Sequence, residues 1–344
     1  MKVALVAVLV VTGCGGGSEA SQPVAKKTTE VTAPAAPIAK GTVETRTFHS
    51  EALGVDKQYV VYLPAGYADK PTAKWPVFYY LHGLTGDEKS WIKGGHLDQA
   101  ADKLGLGAIL VMPDGDDGFY ADSPRAIDYD ACMKDGTGLF VPQMQSRPKT
   151  CVRHHMYETY IVKDVIGDVD AHYHTNATRE GRGIAGLSMG GLGALELSMR
   201  HPDVFAAAAS HSGVDSLLYE GPHPFEPGKT KILADASIKM WGAAIGELGA
   251  WVRGIYGPDA ANWHAYDPAT LVTKVEAGKP ALYLDCGTED DFALHDGMQY
   301  IHELLVARKI EHAYYIGPGR HDFGFWAPRE VESLKFLRDH VAKP

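Results

Sequence analysis

The sequence predicts an α/β fold, a mostly parallel, doubly wound sheet with helices on both faces. Three observations carry this. From Trp75 onward, runs of β-forming residues alternate with runs at helical spacing. Two of the strand runs, Trp75–Leu81 and Gly107–Met112, are almost wholly apolar, as central strands are when both faces are buried. A third run leads into Gly186-Leu187-Ser188-Met189-Gly190 and then directly into a helix-forming stretch. That is a strand–turn–helix junction with a serine at the bend.

The chain opens Met1-Lys2, followed by an apolar run from Val3 to Val11 and then Thr12-Gly13-Cys14. One basic residue, a short apolar core and small residues before a cut site are the layout of a secretory signal. The core is far shorter than the roughly 20 residues of a membrane span. Small residues directly before Cys14 resemble the bacterial lipoprotein box. Residues 1–13 are therefore expected to be a signal peptide and Cys14 the lipidated start of the mature chain. That places the protein in the bacterial cell envelope outside the cytoplasm, in the periplasm or at the cell surface, on a stable anchor of two or more acyl chains. Residues 14–40 carry almost no large apolar side chains and read as a disordered tether.

Residues 41–344 are of a size for one α/β domain. The net charge of −10, without a basic block, argues against nucleic acid as a partner. His154-His155 and His172-x-His174 lack partners at ligand spacing, so neither a metal nor an organic cofactor is expected. In an exported protein Cys132 and Cys151 are candidates for a loop-closing disulfide. Cys286, inside an apolar strand pattern, reads as a buried thiol.

Taken in order, Thr42–Ser50 and Lys57–Leu63 alternate in polarity and read as antiparallel opening strands. Trp75–Leu81 runs into the loop His82-Gly83-Leu84-Thr85-Gly86. Leu97–Leu104 has helical spacing, and Gly107–Met112 is a strand ended by Pro113-Asp114-Gly115. Residues 116–151 show little periodicity, and a loop that long is expected near the mouth of a site. Met156–Tyr173 is helical in pattern. The strand to Ser188 follows, then a helix to Arg200, stopped by His201-Pro202. Val204–Ser210 is a strand, and residues 214–270 read as a helical insertion beside the site. Lys279–Asp285 is a strand, Met298–Arg308 a helix, His312–Ile316 the last strand and Glu330–His340 a closing helix.

Sites in such folds lie beyond the C-terminal ends of the strands. Ser188, Asp290 and His321 each follow a strand pattern, in the chain order Ser, Asp, His of an α/β-hydrolase. A serine hydroxyl is a poor nucleophile without a base in reach, and the base needs a carboxylate to hold its tautomer. Ser188, His321 and Asp290 supply those three parts. The matching oxyanion donors are the backbone N–H groups of Met189, just after the serine, and Leu84, in the loop after the Trp75–Leu81 strand. Trp91, Asp114, Tyr120, Phe323 and Trp326 lie near these motifs in the chain and are candidates for the substrate pocket, with packing as the equal alternative.

Five stretches together resemble the putative-esterase (esterase D-like) family: Tyr59–Tyr67, Leu81–Gly86, Ile184–Leu195, Cys286–Asp290 and Gly319–Trp326. The similarity runs from about residue 43 to 340. That family holds S-formylglutathione hydrolases, feruloyl and acetyl-xylan esterases, and mycolyltransferases. The resemblance implies a Ser-Asp-His acyl-transfer site on Ser188, Asp290 and His321, with Leu84 and Met189 as oxyanion donors. It favours Asp290 as the acid, three residues after Gly287, although Asp291 is adjacent. His82-Gly-Leu-Thr-Gly86 departs from the Ser-Gly-Leu-Thr-Cys type of loop in S-formylglutathione hydrolases, and an exported lipoprotein is in the wrong compartment for cytosolic glutathione chemistry. The expected function is a serine carboxylesterase acting on an ester of a carbohydrate or small alcohol. Transfer of the acyl group to a sugar hydroxyl, as in mycolyltransferases, is the alternative, and a non-catalytic binding lipoprotein the third.

Overall fold

The computed structural model describes residues 38–139, 146–237 and 246–342. The expected signal peptide, Cys14 and nearly all of the expected tether lie outside the described residues. The strand runs assemble into an eight-stranded sheet: β1 (Thr42–Ser50), β2 (Val55–Leu63), β3 (Val77–Leu81), β4 (Ile109–Pro113), β5 (Arg182–Leu187), β6 (Ala207–His211), then β9 (Ala281–Gly287) and β10 (Ala313–Gly317). Its spatial order is β1-β2-β4-β3-β5-β6-β9-β10. β1 pairs with β2, and β2 with β4, in antiparallel fashion; every other pairing is parallel. This is the α/β-hydrolase architecture.

The central strands show why their sequences are uniformly apolar. Successive side chains of β3 enter opposite cores: Val77, Tyr79 and Leu81 pack in one, Phe78 and Tyr80 in the other. Each such buried side chain contributes about 1.5–3 kcal/mol relative to leaving it in water. The helix Met189–Arg200 is buried along nearly its whole length, from Met189 to Met199. Small residues let it lie against the sheet, so it shows no amphipathic stripe.

Several boundaries move. The closing helix begins at Phe323, not Glu330, because Asp322 caps it by accepting from the Gly324 and Phe325 amides. Gly324 and Pro328 conceal those first turns from a propensity reading. The preceding helix likewise begins at Leu294 rather than Met298. Residues 116–151 contain the helices Tyr129–Asp135 and Arg147–Thr150, joined by a Cys132–Cys151 disulfide. The 214–270 segment carries the expected helices, including Gly246–Tyr256 and Ala260–Tyr266. It also holds an antiparallel ribbon, β7 (Tyr219–Gly221) with β8 (Lys231–Ile232), strands too short to leave a period in the sequence.

Glu330, inside the closing helix, is only 1% exposed and its Oε2 has no protein partner. Burial, reinforced by the charge of Asp98, pushes its pKa up to about 9. The folded chain thus keeps a proton that the unfolded chain releases near the ordinary value of 4.5, and stability falls as pH rises between those two values. Glu330→Gln removes this dependence. The variant is expected to be more stable than the parent at pH 8 by about 2–5 kcal/mol, with the gap closing toward pH 4. Thermal denaturation across that range checks it, and a gap independent of pH would contradict the assignment.

Candidate active site

The site begins where β5 stops. Ser188 has φ 55° and ψ −119°, a backbone conformation that side chains other than glycine rarely adopt. Two hydrogen bonds hold it there: Ser188 N–H donates to the His211 carbonyl at 2.9 Å, and Leu192 N–H donates to the Ser188 carbonyl at 3.1 Å. The flanking glycines follow from close backbone approach. A Cβ on Gly186 would overlap the Gly190 carbonyl, and one on Gly190 would overlap the Leu81 carbonyl and lie 2.6 Å from that of His82. Strand, helix and the loop after β3 therefore meet through bare backbone. Gly190→Ala is expected to cost about 3 kcal/mol or more of stability, since backbone rather than a movable side chain must give way. Denaturant unfolding measures this, and a loss below 1 kcal/mol would refute the close approach.

His321, in the loop after β10, completes a relay with Ser188 and Asp290. Its Nε2 is 2.9 Å from Ser188 Oγ and its Nδ1 is 2.6 Å from Asp290 Oδ2. With Nδ1–H donating to the carboxylate, Nε2 is left to accept the serine proton. Burial disfavours the Asp290 carboxylate. The His321 contact and the Phe292 and Leu294 amides outweigh that and hold its pKa below the ordinary value. Asp291 is turned elsewhere: it pairs with the Arg320 guanidinium and accepts only weakly from the His321 amide, at 3.4 Å.

The loops carrying Asp290 and His321 are joined, Thr288 N–H donating to the Gly317 carbonyl at 2.8 Å and Glu289 N–H to that of Gly319 at 2.9 Å. Trp326 and Phe292 set their rings edge-on to the imidazole, each 4.9 Å between centroids. Trp326 is fixed in turn by donating from Nε1 to Ser212 Oγ at 3.1 Å. Cys286 is buried as expected, its Sγ 3.6 Å from Asp290 Oδ2, and burial together with that carboxylate pushes the thiol pKa up.

Met189 opens the helix that follows Ser188, where the first N–H groups have no partner within the helix and the dipole is positive. Leu84 lies on the loop that crosses Ser188. A Cβ on Gly83 would come within 3.2 Å of Ser188 Cβ. Both residues line a cavity of about 940 Å³ that contains Ser188 and His321.

Of the five pocket candidates, Phe323 and Trp326 line this cavity. Trp91, Asp114 and Tyr120 do not; they are buried supports. Trp91 donates from Nε1 to the Leu81 carbonyl at 2.9 Å and packs edge-on against Tyr80 and Phe323. Asp114 forms a buried ion pair with Lys57 at 3.1 Å. Tyr120 donates to the His82 carbonyl at 3.0 Å and lies where a Cβ on Gly193 would be. His82, which the sequence reading treated only as part of a loop, braces that loop. Its Nε2 accepts from the Gly115 amide at 2.9 Å while Nδ1 donates to the Gly83 carbonyl at 2.8 Å. Phe292, 63% exposed beside His321, and Val214–Leu217 also belong to the cavity and had no distinguishing signal in the chain. Among the described residues no group of three or more His, Cys, Asp or Glu is placed to hold a metal ion.

A family model described as "Putative esterase" matches residues 50–337. The S-formylglutathione hydrolase of Bos taurus is 27% identical over 293 residues, covering 83% of this chain and 86% of that protein. Among solved structures, an S-formylglutathione hydrolase from Agrobacterium tumefaciens superposes with a TM-score of 0.63 at 19% identity, covering 89% of this chain and 98% of the other. A ferulic acid esterase does so with a TM-score of 0.62 at 21% identity, covering 88% and 99%. At these identities the structural similarities speak for the fold.

Proposed function

The chain belongs to the putative-esterase family and is a serine carboxylic ester hydrolase, and on that premise we propose that it acts outside the cytoplasm on an ester of a carbohydrate or small alcohol, through an acyl-enzyme on Ser188. The observation that carries this reading is the unbroken relay Ser188–His321–Asp290, at 2.9 and 2.6 Å, set at the start of a buried helix.

In the proposed reaction His321 Nε2 takes the proton of Ser188 Oγ as that oxygen attacks the ester carbonyl. The Leu84 and Met189 amides receive the oxyanion, each such donor being worth about 3 kcal/mol in the transition state. The proton then passes from His321 to the departing alcohol. A water activated by His321 releases the acid in the second half. Asp290 keeps the imidazole in the tautomer that both halves need.

The export pattern of residues 1–14 and the Cys132–Cys151 disulfide support a site of action outside the cytoplasm. A cavity of about 940 Å³ leaves room for an aryl or sugar portion beyond the reacting carbonyl. The test is labelling of cell fractions expressing the full chain with a fluorophosphonate, mapped by mass spectrometry. The purified protein is assayed in parallel on p-nitrophenyl acetate and methyl ferulate. Label on Ser188 in the membrane fraction, with matching loss of activity, is the expected result. Folded protein that takes no label would refute the reading.

A further inference from the structure

Among the described residues, the large apolar side chains most open to solvent are Ile38, Val43, Ile232, Phe292, Val306 and Tyr315, and Phe292, at 63%, is the most exposed of them. It is also the one that lines the cavity holding Ser188 and His321. Single exposed apolar groups are ordinary on a protein surface. This one stands beside a reacting group and is held there. Its N–H donates to Asp290 Oδ1 at 3.0 Å. The Ala293 amide donates to the Asp290 carbonyl at 3.0 Å and the Leu294 amide to Oδ1 at 3.3 Å. Phe292 is therefore anchored on the same carboxylate that accepts from His321.

Two aromatic rings meet the imidazole edge-on at 4.9 Å, those of Phe292 and Trp326. Trp326 is only 6% exposed, so the ring beside His321 that a substrate can cover is Phe292. The proposed chemistry says which half of the ester comes near it. The acyl carbon bonds to Ser188 Oγ, and its oxygen turns to the Leu84 and Met189 amides. His321 gives its proton to the departing alcohol, whose oxygen must lie within hydrogen-bond reach of Nε2. The first carbons of the alcohol therefore lie next to the imidazole, where the phenyl ring stands.

We infer that Phe292 selects the alcohol half of the ester, by packing against an aryl ring or other apolar face carried on the departing alcohol. Covering the ring removes apolar surface from water on both partners, and an aryl group adds ring-on-ring contact. A one- or two-carbon alcohol is too short to cover it and gains little. The acyl half, directed to Ser188 and the two amides, does not depend on this ring. The assignment rests on the esterase reading above and narrows its alcohol.

The test compares kcat/KM within two matched pairs of esters on the intact protein. In one pair the phenyl group is in the alcohol half, 2-phenylethyl acetate against ethyl acetate. In the other it is in the acyl half, methyl 3-phenylpropanoate against methyl propanoate. Both acetates give the same acetyl-enzyme, so their ratio reports the step in which the alcohol departs. A preference of about tenfold or more for 2-phenylethyl acetate is expected in the parent. Phe292→Ala should bring that preference to within about threefold of unity and change the ratio in the acyl pair by less than about twofold. Phe292→Trp, which restores an apolar ring, should keep the alcohol preference within about threefold of the parent. Using ratios cancels any general loss of activity in either variant. No alcohol preference in the parent, a preference that survives Phe292→Ala, or equal changes in both ratios would overturn the assignment while leaving the esterase intact. Hydrolysis of none of the four esters, with Ser188 unlabelled by fluorophosphonate, would overturn both.

Discussion

Ser188→Ala is expected to lower kcat on p-nitrophenyl acetate by about 10⁵–10⁶-fold with little change in KM. The loss is large because Ser188 Oγ, 2.9 Å from His321 Nε2, is the atom proposed to form the acyl bond, and alanine leaves nothing to acylate. His321→Ala should cost about as much, and the double variant no more than either alone. Nucleophile and base act on one proton, so their contributions do not add. The residual rate, roughly 10³-fold above water, would be the share of the Leu84 and Met189 amides and of substrate binding. Stopped assays with purified variants measure all three, and more than 1% activity remaining in Ser188→Ala would exclude this serine as nucleophile.

Asp290→Asn is expected to lower kcat by about 10⁴-fold, whereas Asp291→Asn should stay within about threefold of the parent. The two side chains are neighbours in the chain with opposite surroundings. Asp290 is 6% exposed, accepts from His321 Nδ1 at 2.6 Å and is tied by backbone amides. An amide there would present an N–H to Nδ1 or turn the ring to its other tautomer. Asp291 sits at the surface with Arg320. Its exposed ion pair contributes little. Equal losses in the two variants would show that the acid is shared or misassigned.

The chain announces its strands and its reacting groups for a common reason. A strand buried on both faces must be apolar throughout, as Val77–Leu81 is, and a nucleophile turn must have glycine where backbones touch, as at Gly186 and Gly190. Those constraints act on residue type, so they are visible in a string of letters. The walls of the cavity are constrained only by direction. Trp91, Asp114 and Tyr120 follow strand ends as Trp326 does, yet the first three turn into the core and only Trp326 reaches the imidazole. Direction depends on the turn geometry of each loop, which one residue of slippage reverses. The start of the closing helix was hidden for another reason. Gly324 and Pro328 break the helical pattern of its first turns, and its capping residue, Asp322, stands directly after His321.

The Ser188–His321 hydrogen bond spans 133 positions of the chain, with Asp290 between them. A ribosome working at about 5–20 residues per second therefore makes Ser188 roughly 7–27 seconds before His321. Throughout that interval Ser188 is an ordinary alcohol, indifferent to any ester it meets. The same holds for a fragment cleaved between Asp291 and Arg320: it keeps the elbow and the acid, but has no group to take the proton. The proposed hydrolysis requires the loop after β10 to be in place, with Asp322 starting the helix behind it. An unfinished or truncated chain is therefore harmless to esters wherever it is found.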